Sequence, residues 1–188
     1  MKRNKKGYGI VIFIASLLWV LTGIVMSLRE PGDGKGRYRE THDLLVVLGV
    51  GMMMIQACMA HLLWHFRNRR SPLVYIAILD LVGGAFFLAG GMMVFFNPGP
   101  FPYLLFSGYL ISMAGLILTG VVGHKQKLFS ATASTTIIVI GACLLFFNDQ
   151  YLPWVASVLG GVSLWFSYLL FYQPQHFRTE KIGEPTAI

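Results

Sequence analysis

A single aspartate inside a long apolar run is the residue whose type and position most directly suggest chemistry. Asp80 lies in LVYIAILDLVGGAFFLAGGMMVFF, eight residues beyond Pro72, or about 12 Å along a helix. That depth is inside hydrocarbon, where ionisable side chains are costly and tend to mark proton or ion pathways. Two readings are open: a proton-titrating or ion-coordinating carboxylate, and a neutral acid hydrogen-bonded to another helix. His61 and His65 stand four apart on the preceding segment, hence on one helix face, at a depth that could bring His61 towards Asp80. A His–Asp pair could shuttle protons or hold a metal. Two imidazoles and one carboxylate are an incomplete ligand set, so no metal is expected.

His65, beside Trp64 and Arg67, reads as an interfacial residue, because amphipathic rings favour the headgroup zone. A bis-histidine haem would need a histidine within the membrane on another helix, whereas His42, His124 and His176 fall in loops or the tail. Gln56 is a further polar group in an apolar segment and reads as interhelical glue. Met52, Met53, Met54 and Met59 read as soft packing, and Cys58 and Cys143 as small buried hydrophobes. Tyr103, Ser107, Tyr109 and Ser112 are scattered hydroxyls without a triad. No nucleophile elbow, phosphate loop or paired-carboxylate motif is present, so neither an enzyme activity nor a cofactor is expected.

The elements that must position these residues are transmembrane helices. The chain has 188 residues, of which 55% are hydrophobic and 12% charged, with a mean hydropathy of +0.64. Its charges vanish over intervals close to the ~20 residues that cross a ~30 Å hydrocarbon core. The pattern predicts one all-α integral membrane domain over residues 1–172, with helices at about 8–28, 44–66, 72–96, 103–122, 128–147 and 154–172, and a flexible tail over 173–188. The first apolar run exceeds the ~7–15 residues of a signal-peptide core and lacks a small-residue cleavage site, so it reads as an uncleaved span. The loop over 29–43 carries four basic and four acidic residues and reads as solvated surface.

The net charge of +7 does not indicate nucleic acid, because the basic residues sit at the ends of apolar segments, where they face lipid headgroups. Eleven of the fifteen Lys and Arg residues flank one side: the N-terminus, the 67–71 and 123–127 turns and the tail. The other four lie in the 29–43 loop. This asymmetry predicts a multi-pass inner-membrane protein with both termini in the cytoplasm. The bilayer is the expected partner, together with a second copy of the chain or another membrane protein.

Three phrases echo one another: TGIVMSLREPG at 22–32, GGMMVFFNPGP at 90–100 and IGACLLFFNDQ at 140–150. In each, a glycine (Gly23, Gly90, Gly141) precedes a polar turn residue (Glu30, Asn97, Asn148) by seven positions. An apolar helix with central glycines follows each turn: Gly49 and Gly51, Gly108 and Gly115, Gly160 and Gly161. Small residues let helix backbones approach closely in lipid, and the spacing predicts three parallel helical-hairpin repeats. On these residues the chain resembles the HdeD acid-resistance membrane protein family over about residues 8–172. The first repeat departs most, with Arg29-Glu30-Pro31 in place of Asn-Pro. The resemblance implies a six-helix inner-membrane protein associated with acid or general stress, and it supplies no catalytic residues. A small-ion or proton-coupled transporter or channel using Asp80 is the alternative.

Overall fold

The computed structural model describes residues 2–29, 41–65, 72–96, 103–147 and 154–172, the side chains of 2–6 and of His65 excepted. The expected turns at 67–71, 97–102 and 148–153, most of the 29–43 loop and the 173–188 tail lie outside the described residues. Within them the chain is all-helical: α1 (Lys2–Leu28), α2 (His42–His65), α3 (Leu73–Phe96), α4 (Tyr103–Lys125), α5 (Ala131–Leu144) and α6 (Val155–Tyr172). Five of these are long and apolar enough to cross a membrane: Gly7–Leu28, His42–Trp64, Leu73–Phe96, Tyr103–Lys125 and Val155–Tyr172. Large apolar side chains also face outward, among them Phe13, Leu21, Ile78, Leu81, Phe106 and Trp165. Helices apolar all round have lipid as their natural solvent, and the protein is an all-α membrane protein.

Four boundaries depart from expectation by three residues or more: α1 takes in the basic flank and begins at Lys2 instead of about residue 8, and the other three lie around α5. The basic GHKQK stretch, predicted as a turn, continues α4 to Lys125 and places His124 on the helix. Lys127 then takes a left-handed backbone (φ 57°). The Leu128 N–H bonds to the Gly123 carbonyl at 2.8 Å and the Lys127 N–H to the His124 carbonyl at 2.9 Å, the paired closure of a Schellman cap. Because Ser130 caps the next helix by accepting from the Ala133 N–H, residues 128–130 fall in the connection. At the far end Leu145, Phe146 and Phe147 bond three residues back instead of four, so α5 closes at Leu144 in 3₁₀-type turns. A non-glycine residue in the left-handed region carries a cost of about 1–2 kcal/mol. Lys127→Gly is therefore expected to raise the melting temperature by about 2–4 °C; an unchanged or lower value in a thermal scan would reject this.

The helices form a closed ring in chain order, with α6 packed on α1. Gly9 meets Phe171, and Gly23 meets Ser157, so α1 and α6 run antiparallel with the start of one beside the end of the other. At the opposite end Arg29 holds Asp43 with two bonds of 2.8 Å, closing the ends of α1 and α2. Trp19 reaches across the ring. It is fully buried, and its ring lies 6.2 Å from Phe87 of α3 and 5.8 Å from Phe147 beyond α5. At this level side chains fill the middle of the ring. The three echoed glycines are not used alike: Gly23 meets α6, whereas Gly90 and Gly141 both meet α4.

Candidate functional site

On α3, glycines occur as doublets, Gly83-Gly84 and Gly90-Gly91, seven residues apart. Successive residues on a helix face directions about 100° apart, so one doublet serves two neighbours. Gly83 meets Ser112 and Gly90 meets Leu105, both on α4, whereas Gly84 meets Gln56 and Gly91 meets Leu45, both on α2. Asp80 stands three and seven residues before Gly83 and Phe87 and shares their α4-facing stripe. There it meets Gly115, whose missing side chain leaves the space that Asp80 Oδ1 occupies.

The α4 face opposite is Ser112, Gly115 and Thr119, all buried. Thr119 donates its hydroxyl to Asp80 Oδ2 at 2.8 Å. Asp80 is wholly buried, and Oδ1 has no hydrogen-bond partner. One helical turn towards the other end, Gln56 of α2 reaches past α3 to α4. Its Oε1 accepts from the Ser112 hydroxyl at 3.1 Å. A methyl group at Gly84 would stand 2.7 Å from that oxygen, so the bare glycine opens the way. Gln56 is wholly buried and its Nε2 is also unpartnered. The interhelical role read for Gln56 is what its bond to Ser112 performs.

His61 is placed elsewhere. It is exposed on the outer side of α2, and its ring lies 5.4 Å from that of Tyr8 on α1. The expected approach of His61 to Asp80 does not occur, because the carboxyl points at α4 and not α2. The side chain of His65, the last residue of α2, lies outside those described. Among the described residues no three His, Cys, Asp or Glu side chains come together. Both cysteines are free, Cys58 buried and Cys143 half-buried.

The chain matches no family model, no curated protein and no solved structure. The site is therefore read from its own geometry. Thr119 and Ser112, the hydroxyls that partner Asp80 and Gln56, escape a sequence reading of scattered hydroxyls. The recoverable signal is their spacing with Gly115, three and four residues apart on one face of α4. An unpartnered oxygen in a buried carboxyl is costly as an anion. The arrangement suits a group whose charge is compensated by a bound proton or a small cation.

Proposed function

We propose that this is a non-enzymatic, acid- or general-stress-associated membrane protein whose operative group is Asp80, taking up and releasing a proton within the bilayer. One observation carries the reading: the wholly buried carboxyl has one oxygen held by Thr119 and the other without a partner. The stress role rests on the resemblance to the HdeD family. Three parallel hairpins would supply the scaffold, supported by the seven-residue glycine-to-turn spacing. The excess of Lys and Arg on one side favours an inner-membrane protein with both termini in the cytoplasm, and contact between Gly9 and Phe171 agrees with termini on one side.

The same unpartnered oxygen favours a second reading, a proton-coupled or small-ion transporter or channel. That reading requires the Trp19 junction to move, since the middle of the ring is filled at its level. Asp80→Asn keeps the side-chain shape and an acceptor for Thr119 while removing the titrating group. The purified wild type is expected to show a titrating carboxyl band in infrared difference spectra that Asp80→Asn lacks. Cells carrying the variant are expected to survive acid challenge no better than a deletion strain. Wild-type survival of the variant, with no difference in the spectra, would sink the proposal. Proton or ion flux in proteoliposomes that is lost in Asp80→Asn would select the transporter.

A further inference from the structure

Side chains from three helices bring oxygen together beside Asp80. Gln56 of α2 passes the bare Gly84 of α3, and its Oε1 stands 3.1 Å from Ser112 Oγ of α4. Ser112 lies three residues before Gly115, and Asp80 Oδ1 fills the space in front of Gly115. Residues three apart on a helix stand about 5–6 Å from each other. The carboxyl oxygen and the Gln56–Ser112 pair are therefore neighbours along one face of α4. Gln56, Ser112 and Asp80 are each wholly buried.

The chemistry of the set is one-sided. It comprises a carboxylate, an amide carbonyl and a hydroxyl, the oxygen donors that hard cations take. Among the described residues, Asp80 is the only buried one of the Asp, Glu, Lys, Arg or His type, so none of their side chains balances its charge in the interior. Two oxygens 3.1 Å apart can both touch one ion at about 2.3–2.6 Å, the contact such donors make. They do so once the Ser112 hydroxyl hydrogen turns to the Gly108 carbonyl, four residues back. The hydroxyls of Ser16, Ser27 and Thr136 already donate in that way. The third ligand is Asp80 Oδ1, which has no partner. An ion between oxygens on opposite sides spans about 5 Å, comparable to the one-turn spacing. Thr119 holds Oδ2 and keeps the carboxyl aimed at α4. A water on the ion would offer an acceptor to Gln56 Nε2, the other unpartnered atom.

We propose that Asp80, Gln56 and Ser112 form a binding site for one small monovalent metal cation, sodium or lithium. Charge selects the valence: a monovalent ion makes the site neutral, whereas a divalent ion would leave a positive charge in hydrocarbon, which is costly. Three protein oxygens between glycine-packed helices suit a small ion and leave potassium under-coordinated, since cavity size and ligand number decide such selectivity. The proposal rests on the reading of Asp80 as the operative group and names a second occupant for it.

The test melts the full-length protein in detergent in sodium, lithium, potassium or choline chloride at one ionic strength, and measures binding of radioactive sodium by equilibrium dialysis. Sodium and lithium are expected to raise the wild-type melting temperature several degrees above that in choline, because a ligand held only by the folded state stabilises it. Potassium should do less. Asp80→Asn should abolish the rise. Ser112→Ala and Gln56→Met, close in size to the residues they replace, should each weaken sodium binding at least about fivefold, in keeping with loss of one polar contact to a charge, while still melting cooperatively. Equal melting of the wild type in all four salts, with no sodium bound, would overturn the cation site and leave Asp80 as a proton site alone. A sodium effect kept in Asp80→Asn, or undiminished in both Ser112→Ala and Gln56→Met, would overturn it too. Sodium binding that needs all three residues, in a protein whose Asp80 shows no titrating infrared band, would uphold the cation site and remove the proton reading instead.

Discussion

Trp19→Ala is expected to cost about 3 kcal/mol of stability, more than any other truncation in the ring. Large buried aromatics cost about 3–5 kcal/mol when cut to alanine. The lower end applies here because lipid is already apolar, and little hydrophobic transfer energy remains to be lost. What is lost is packing. The indole touches the backbone-exposed face at Gly51 of α2, the Phe87 ring of α3 and the Phe147 ring beyond α5. These helices are not all neighbours round the ring, so removing one side chain loosens several interfaces at once. Trp19→Phe should recover more than half of the loss, since its ring still reaches Phe87. Melting in detergent or resistance to unfolding by SDS measures both. A Trp19→Ala protein as stable as wild type would show that the ring is held by its helix pairs alone.

Gly115→Ala is expected to cost about 1–3 kcal/mol, the usual range for overpacking a tight interior, and nearly all of that cost should disappear when Asp80 is also cut to alanine. The new methyl would fall where Asp80 Oδ1 sits. The carboxyl would have to turn away, and the 2.8 Å bond from Thr119 would be strained or broken. In an Asp80→Ala background nothing occupies that space. A double-mutant cycle isolates the coupling, which for residues in contact falls at about 0.5–3 kcal/mol. A Gly115→Ala penalty of the same size in both backgrounds would mean that the clash is with the α3 backbone, not with the carboxyl. That result would leave the position of Oδ1 without support.

The depth of Asp80 was legible in the sequence, but its direction was not. Depth is a count along an apolar run, and Leu73 as the start of α3 agrees with a helix from about 72. Direction depends on helical phase, which a segment that is apolar all round does not display. The glycine doublets hold that phase. Gly83 and Gly90 mark the side that meets α4, Gly84 and Gly91 the side that meets α2, and Asp80 is in step with the first pair. Only the packed structure says which pair faces which helix, and this is why His61 was expected near a carboxyl that turns elsewhere. The span of α5 failed for a different reason. Residues 128–147 are almost continuously apolar or hydroxylated, yet hydropathy is silent about hydrogen bonding. The left-handed Lys127 and the cap at Ser130 stop the helix short at one end, and three-residue-back bonds tighten it at the other.

The shortness of α5 has a consequence for the surrounding lipid. With 14 residues it stands about 21 Å tall, and α6 with 18 about 27 Å, whereas α2 and α3 with 24 each reach about 36 Å. A hydrocarbon core of ~30 Å therefore meets a wall of uneven height. A span longer than the core is accommodated by tilt or local thickening, and a shorter one by thinning of the acyl layer or snorkelling flanks, at a fraction of a kcal/mol per Å of mismatch. The annulus is thus lopsided: thin bilayers and short acyl chains relieve the α5 side, and long ones penalise it. The energy of the protein in the membrane becomes a function of bilayer thickness, with the α5 edge as the place where that thickness is felt.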